Sequence, residues 1–508
     1  MQENVHKDSK NHARGEATMY RIEQQITITE FIFPFGKLNP KNRWVTIADM
    51  IPWGKYEKRY AEQFCENNGA PAVSFRMAMG TLIIKQRTGF SDDETLQSIM
   101  ENPYLQYLIG LHEFTQEAPF SLRSITNFRK YIPQEMINEL NEELFRPKIK
   151  NDKDDNTPGT QPPSDQNSTP PSTPPNQGEM LMDATCTPAH IAYPTDVNLL
   201  NEARDKLEGI IDTLHPYTNA KIKPRTYRNE ARRRYLHFIK QRKPRKNTIR
   251  KAIGQQLRYI RRNLGHIEAQ RIQTTNKPLS IRQQQWLETI QTLYQQQEEK
   301  HRTNNASIPN RIVSISQPHV RPIVRGKAKS DVEFGAKVNV SMINGYAFVD
   351  KIDWNAYSEA AQLIPAADAY KHKNGCYPAA IIADKLYRNR KNLAFCKEHG
   401  IRLSGPRLGR PPKTTDKTIK QLERQDASTR NAIEGKFGEG KTKYGLDRIM
   451  ARLPKTSETV IALAFLCMNI SRRLRLLFAF LWLAPFLRYK PVDNSVLDVD
   501  DLCGRVFA

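Results

Sequence analysis

The sequence predicts a mixed α/β protein in which an all-helical region precedes the sheet and a helical insertion interrupts it. Three observations predict this class. Residues 31–146 have helical periodicity, a segment rich in Pro, Ser, Thr, Asn and Gln follows, and after residue 179 short apolar runs alternate with helical patterns. Such alternation is typical of α/β sheets, and 508 residues are enough for two or three domains.

The N-terminal part is predicted to form a helical domain over residues 31–148, after a polar and disordered segment at 1–30. Ser91 and Glu94 have the spacing of a capping box, which marks the start of a helix. The helical patterns are YEKRYAEQFCEN, AVSFRMAMGTLIIKQ, SDDETLQSIMENPYLQYLIG, SLRSITNFRKYI and QEMINELNEELF. The linker predicted at 149–178 has almost nothing to bury, so it cannot offset its ordering entropy.

The second part, at 179–490, is predicted to begin with the buried strand EMLMDATCT. Residues 199–310 then return to helical spacing, for example at Leu199, Ala203 and Leu207, and predict an antiparallel hairpin of long helices inserted into the domain. Two β-rich runs follow, in VEFGAKVNVSMINGYAFVDKID, around a turn at 343–345. After them come a helix (NAYSEAAQLIPAADAYKHK), a strand (YPAAIIAD), a helix (LYRNRKNLAFCKEHG), a short strand (IRLSG) and further helices.

The C-terminal apolar stretch, Val460 to Leu487, is interrupted by Arg472, Arg473 and Arg475. A membrane-spanning helix needs about 20 apolar residues without such charges. We therefore expect a buried helix followed by a second apolar segment, and then a tail at 491–508.

The charge of the chain indicates a polyanionic partner. Lys and Arg number 78 against 54 Asp and Glu, a formal charge of +24. Nucleic acid is favoured over an anionic membrane because the basic segment is not coupled to a lipid-facing helix. No secretory signal is evident, so we expect a cytoplasmic protein. Zinc and disulfide scaffolds are excluded by six scattered cysteines without a CxxC pair.

Two acidic residues are predicted at the carboxyl ends of apolar strands, where α/β sheets form their sites. They are Asp183 and Asp384. Two carboxylates brought together there would repel one another unless a cation lay between them, and hard oxygen ligands suit Mg²⁺ or Mn²⁺. The alternative is that each Asp only caps a strand or begins a turn.

A third acidic residue belongs to the segment RNAIEGKFGEGKTKYGLDRIM. On an α-helix its Arg430, Glu434 and Lys441 would lie within about 60° of one face. One face would then carry an acid flanked by two cations. The alternative is a solvated helix of mixed charge, and glycines at 435, 438 and 440 argue against a continuous helix.

These residues resemble the DDE transposases of bacterial insertion sequences, whose signature contains Arg-x3-Glu-x6-Lys. Ala427 stands where the signature has Tyr, as in the IS-five-like branch. Longer stretches carry the same resemblance, among them IPW, SDDET, ENPYLQYLIGL, LMDATCTPAHIAYPTDVNLL and RIVSISQPHVRPIVRGKAKSDVEFGAKV.

The resemblance implies an RNase H-like core of about five strands, with the insertion between the first two. Asp183 would lie on the first strand, Asp384 just after the fourth and Glu434 on a later helix, together holding two Mg²⁺ or Mn²⁺ ions. The chain would cut double-stranded DNA at the element's terminal inverted repeats and join it to target DNA. Arg430 and Lys441 would contact phosphates, and a homodimer would assemble on the DNA of a prokaryotic nucleoid. A nuclease that does not rejoin DNA and a catalytically silent DNA-binding protein are the alternatives.

Two further segments are candidates for DNA contact. Residues 221–251 interleave aromatic residues with Arg232, Arg233, Arg234, Lys243, Arg245 and Lys246, although a solvated helix face is the alternative. The helix SLRSITNFRK offers Arg123, Asn127, Arg129 and Lys130 to a groove, or is a plain packing helix. His190 and His319 lack metal-ligand spacing, and we expect them to pack or form hydrogen bonds.

Overall fold

A computed structural model describes residues 25–64, 72–146, 175–274, 279–304, 308–327, 330–406, 408–409 and 417–487. The predicted C-terminal tail, most of the predicted linker and most of the predicted disordered segment lie outside these residues. Of residues 1–30, the described part contains a turn at 28–30 and the buried Ile26.

The N-terminal part is helical, as predicted. One predicted helix is in fact two helices. The second begins at Pro103 with Asn102 as its N-cap, and proline is well placed in the first turn of a helix. The predicted capping box is present, since Glu94 N–H donates to Ser91 Oγ (3.1 Å) and Ser91 N–H to Glu94 Oε2 (2.8 Å). The helices are α1 Arg43–Met50, α2 Trp53–Ala61, α3 Phe75–Thr88, α4 Asp92–Glu101, α5 Pro103–Ile109, α6 Leu122–Tyr131 and α7 Gln134–Phe145.

A mixed sheet follows, with six strands among the described residues. They are β1 Glu179–Pro188, β2 Arg321–Lys327, β3 Ser330–Ile343, β4 Tyr346–Asp353, β5 Ala380–Ala383 and β6 Arg402–Leu403. The order is β2-β3-β1-β5-β6, and β4 also pairs with β3. β5 runs parallel to β1 and β6, whereas the other pairs are antiparallel. The α/β class is therefore correct, and β2 is a strand that the sequence did not predict.

The turn between β3 and β4 lies where the sequence predicts it. Ile343 pairs with Tyr346, which leaves Asn344 (φ 51°) and Gly345 (φ 79°) as a two-residue connection. Positive φ at both positions suits a hairpin turn of the primed type, for which Asn-Gly is the favoured pair.

The insertion lies between β1 and β2, as expected, but it is larger than the predicted hairpin. It consists of four helices. Pro244 lies in the connection between the second and the third of them, within the basic segment. Its core is separate and consists mainly of Leu and Ile side chains from three helices, with α10 packed on both α8 and α11. The helices are α8 Asp196–Leu214, α9 Arg228–Ile239, α10 Lys246–Gln273 and α11 Ile281–Thr303.

The remaining helices are α12 Leu363–Asn374, α13 Arg390–Glu398, α14 Lys417–Lys443 and α15 Pro454–Leu487. The expectation of two separate C-terminal apolar segments was wrong, because α15 is continuous. Two arginines of α15 have partners at the surface. Arg472 donates to the Asn344 carbonyl (3.1 Å), and Arg475 pairs with Glu439 (3.1 Å). Within the described ranges, no helix has the length and apolarity that crossing a membrane requires.

The N-terminal helices and the sheet share one hydrophobic core, to which α15 contributes its buried residues 461–468. A buried polar contact joins three elements inside it. Asn469 of α15 accepts a hydrogen bond from Ala347 N–H (2.9 Å) and donates to Ala347 O (2.7 Å) and to Asn141 Oδ1 of α7 (2.9 Å). The helical part is thus docked directly on β4.

Candidate active site

Asp183 of β1 and Asp384, the residue after β5, lie at the same level of two neighbouring parallel strands. Met182 of β1 is paired with Ala383 of β5, so the residues that follow them occupy the same level of the sheet. The prediction that Asp183 ends its strand was wrong, because β1 continues to Pro188. The strand that ends here is β5, whose pairing with β1 stops at Met182 and so leaves a notch beside Asp183. This notch is the floor of the candidate site.

Asp384 is fixed by the turn that it begins. Its Oδ1 accepts a hydrogen bond from Lys385 N–H (2.6 Å), and its carbonyl accepts from Tyr387 N–H (2.9 Å). Tyr387 is fully buried, and its hydroxyl donates to Asn339 Oδ1 of β3 (3.1 Å). The turn that carries Asp384 is therefore anchored to the middle of the sheet.

Helix α14 carries the third acidic residue, Glu434, which lines the same cleft as the two aspartates. It is continuous from Lys417 to Lys443, so the three glycines do not break it. Gly440 is needed for packing, since a Cβ there would lie 2.7 Å from Leu446 Cδ1. The buried Ile433 and Phe437 face the core, and α14 contacts β1 and β5. Lys441 lies roughly 10 Å along the helix from Glu434, on the same face.

Arg430 lies between two of the acidic side chains. Its Nη1 is 3.1 Å from Asp384 Oδ1, and its Nη2 is 3.0 Å from Glu434 Oε1. The predicted i, i+4 relation between Arg430 and Glu434 is thus present, while the contact with Asp384 joins α14 to the end of β5. Arg430 is the shared counterion of both carboxylates and compensates one of their two negative charges.

The acids line one cleft of about 570 Å³. Its other charged lining residues, Lys337 and Glu359, and the aromatic Tyr357 were not predicted from the sequence. Glu359 follows β4 by a few residues in a segment predicted as helix, which in fact forms a coil and a 3-10 turn before α12. Contacts with elements that are distant in the sequence hold this segment at the cleft, so no local pattern could have identified it.

The carboxyl group of Asp183 has a raised pKa. Burial raises the pKa of its carboxyl group to about 6, against the effect of a hydrogen bond from Ala184 N–H (2.8 Å). The negative charges of Glu359 and Asp384 raise this pKa further, while Arg430 lowers it. A half-buried acid beside two like charges would gain from a bound cation.

The donor chemistry of the site fits a hard divalent cation, since all three predicted ligands are carboxylates. The arrangement is not that of a loaded site: among the described residues, no three His, Cys, Asp or Glu side chains are grouped so that they could hold a metal ion. Arg430 takes the position of a counterion for Asp384 and Glu434. A cation that used both carboxylates would replace it.

The predicted DNA-contact residues of the basic segment are exposed on α9 and on the start of α10, with the turn between them. Arg233 and Arg234 both pair with Glu230 at 2.6 Å. The other four have no ion-pair partner within the described part of the chain, and they are Arg232, Lys243, Arg245 and Lys246. The segment thus presents more unpaired cations at its turn than along α9.

The candidate groove helix is α6, and it offers less than predicted. Arg129 is tied to Asp92 by a 2.9 Å ion pair and is mostly buried. Arg123, Asn127 and Lys130 are exposed. Arg129 is therefore a packing residue between α6 and α4.

The two histidines form local contacts. His190 accepts a hydrogen bond at Nδ1 from Arg448 Nε (2.8 Å), and the ring of His319 packs edge-on against Trp354 with 4.3 Å between centroids. These contacts are of the kind predicted for them.

Two parts of the chain match known protein families. Residues 381–471 match a family described as "Transposase DDE domain", and residues 34–131 match one described as "Transposase domain (DUF772)". The chain is similar to DDE-type insertion-sequence transposases. The DDE match includes Asp384, Arg430, Glu434 and Lys441, while Asp183 lies outside it. The two matched domains indicate a transposase.

A relative is less informative about function. "Uncharacterized protein ORF8 in nfe locus" from Rhizobium meliloti is 29% identical over 170 residues, which cover 34% of this chain and 73% of that protein. No solved structure matches the chain.

Proposed function

We propose that this transposase cleaves DNA at the ends of an insertion sequence and joins the freed ends to target DNA. The observation that carries the proposal is that Asp183 of β1 and Asp384, which follows β5, lie at the same level of the sheet and line one cleft with Glu434 of α14. We assign the catalytic domain to residues 179–490, with the insertion at 199–310, and the N-terminal domain to residues 31–148.

The catalytic core is proposed to be RNase H-like. The sheet is mixed, Asp183 lies on its first strand, and the insertion separates that strand from the second. Asp384 follows β5, which is the fourth strand when the additional β2 is left out. Membership of the IS-five-like branch belongs to the same proposal, and Ala427 agrees with it.

Asp183, Asp384 and Glu434 are proposed to hold two Mg²⁺ or Mn²⁺ ions. When bound, these ions would supply positive charge to the entering and leaving oxygens of an in-line displacement at phosphorus. Before the ions bind, Arg430 is the counterion of Asp384 and Glu434. Once the ions displace it, Arg430 is available to a DNA phosphate. Lys441, further along the same face, extends the cationic surface for the DNA backbone.

Double-stranded DNA is the proposed partner, both as terminal inverted repeats and as target. The exposed cations of residues 221–251 would contact its phosphates. A homodimer assembled on the DNA, in the nucleoid of a prokaryotic cytoplasm, completes the proposal.

The test uses the purified full-length chain with labelled DNA carrying the element's ends, a supercoiled plasmid and Mg²⁺. We expect nicking at the ends and joining to the plasmid. Asp183→Asn should abolish cutting and keep DNA binding, whereas the exposed and distant Glu398→Gln should behave as wild type. Nicking without joining would indicate the nuclease alternative, binding without nicking the silent DNA-binding protein. Undiminished cutting by Asp183→Asn would remove that residue from the mechanism.

A further inference from the structure

A fourth acidic side chain faces the cleft. Glu359 begins a short 3-10 turn, Glu359–Gln362, and lines the cleft together with Asp183, Asp384 and Glu434. Its side chain is 20% exposed, less than those of Asp384 (43%) and Glu434 (51%). A glutamate this well buried requires a partner, because burying an unpaired charge is costly.

Lys337 of β3 is that partner. Its Nζ lies 2.9 Å from Glu359 Oε1, donates to the Tyr357 carbonyl (2.8 Å) and stands 5.0 Å above the Tyr357 ring. Lys337 is paired with Cys186 of β1, three residues beyond Asp183 along that strand. The carboxylate of Glu359 is thus held against the cleft from the side of β3.

A second contact fixes Glu359 relative to the turn after Asp384. The buried side-chain amide of Asn392 donates to the carbonyls of Ala360 and Tyr387, both at 2.8 Å. One carbonyl belongs to the residue after Glu359 and the other to the turn that Asp384 begins. Asn392 therefore links the segments that carry Glu359 and Asp384 and fixes the separation of these two acidic residues.

The charges of the cleft are unevenly compensated. Arg430 pairs with Asp384 and Glu434, and Lys337 pairs with Glu359. Asp183 has a backbone hydrogen bond from Ala184, and the described residues give it no ion pair.

We propose that Glu359 is a fourth acidic residue of the active site, which binds a divalent cation together with Asp183 and exchanges Lys337 for that cation. The inference builds on the proposed function. Carboxylate oxygens are the ligands that Mg²⁺ and Mn²⁺ prefer, and Glu359 lines the same cleft as Asp183. Lys337 would be its counterion before the cation binds, as Arg430 is for Asp384 and Glu434.

The competing explanation is that Glu359 only pins its segment to β3 through Lys337. The two roles differ in what removal of Lys337 would do. If the pair is structural, Glu359→Gln and Lys337→Met break the same contact and should have the same effect. If Glu359 is a ligand, removing Lys337 leaves its carboxylate in place and removes a competing cation.

The experiment measures Mn²⁺ binding to the full-length protein without DNA, by the decrease of the free-Mn²⁺ electron paramagnetic resonance signal. We expect Glu359→Gln to weaken Mn²⁺ binding about tenfold or more, because even the loss of a residue that only orients a metal ligand costs about tenfold or more in affinity. Lys337→Met should bind as tightly as wild type or tighter, and the exposed Glu398→Gln should match wild type. Thermal unfolding in EDTA verifies that each variant is folded.

Three results would overturn the inference, and they distinguish its failure from the failure of the proposed function. Abolished binding in Asp183→Asn with unchanged binding in Glu359→Gln, or equal weakening by Glu359→Gln and Lys337→Met, overturns the role of Glu359 alone. Equal Mn²⁺ binding by wild type and Asp183→Asn overturns the proposed function, and this inference with it.

Discussion

The guanidinium of Arg430 lies 3.1 Å from the carboxylate of Asp384, so helix α14 is fastened to the end of strand β5 by a charge pair. The same guanidinium holds Glu434 at 3.0 Å. Two acids proposed as cation ligands thus share a cation that the chain itself supplies. A bound metal ion would compete with it, and this competition is measurable.

Replacing Arg430 by Gln should tighten Mn²⁺ binding. The substitution removes the competing charge and leaves Asp384 and Glu434 uncompensated. Exposed pairs contribute about 0.2–1 kcal/mol each, so with two pairs removed we expect a gain of roughly twofold to thirtyfold in affinity by the same resonance assay. Arg402→Gln is the matched control, because Arg402 pairs with Asp426 at 2.6 Å and does not line the cleft. Unchanged or weaker Mn²⁺ binding in Arg430→Gln would contradict the idea that Arg430 is a counterion.

Asn469→Ala should destabilise the whole protein. Asn469 is fully buried and bonds both the N–H and the carbonyl of Ala347 as well as Asn141. A buried group left without a partner costs about 1–3 kcal/mol, and the cavity adds to this, so we expect a decrease of about 2–4 kcal/mol in the free energy of urea unfolding. The exposed Asn355→Ala serves as control and should stay within about 0.5 kcal/mol of wild type. A similarly small effect in Asn469→Ala would show that this contact does not hold α15 and β4 together.

How much of this site the sequence could predict depends on the range of the contacts. Arg430 and Glu434 are four residues apart on one helix, so their proximity follows from helical geometry. Asp384 follows a short apolar strand, and its position was predicted correctly. Asp183 was predicted at a strand end because its apolar run is short. In the structure β1 continues past Asp183, and the strand that ends beside it is β5.

Other features depend on long-range packing that no local pattern records. Glu359 reaches the cleft because Lys337 and Asn392, from β3 and α13, hold its segment. The continuity of α15 through its arginines depends on partners more than 30 residues away, such as Glu439. In both cases the deciding partner is distant in sequence, so periodicity and spacing alone could not have given the answer.

His319 should make stability depend on pH. Burial, and then the neighbouring charge of Arg321, lowers the pKa of His319 to about 4 from its ordinary 6.5. Between these values the unfolded chain binds more protons, so this contribution is complete above pH 6.5 and is lost as pH falls toward 4. We expect His319→Gln to lose roughly 2 kcal/mol less stability than wild type between pH 7.5 and pH 5, measured by urea unfolding. The exposed His372→Gln should follow wild type, and parallel losses in all three proteins would exclude His319 as the source.

The basic segment should contact DNA mainly through the cations that have no protein partner. Arg233 and Arg234 share Glu230, so part of their charge is already compensated, whereas Arg232, Lys243 and Arg245 are exposed without such a pair among the described residues. Removing one cation that binds a phosphate should reduce the slope of log affinity against log salt by about 0.9. Replacing these three residues by Gln should therefore flatten the slope by up to about 2.7 in electrophoretic mobility shifts at increasing NaCl. Arg233→Gln with Arg234→Gln should flatten it less per residue, because the released Glu230 adds a repulsive charge without freeing a cation. An equal or larger effect per residue of this second set would place the DNA along α9 instead of at the turn that leads into α10.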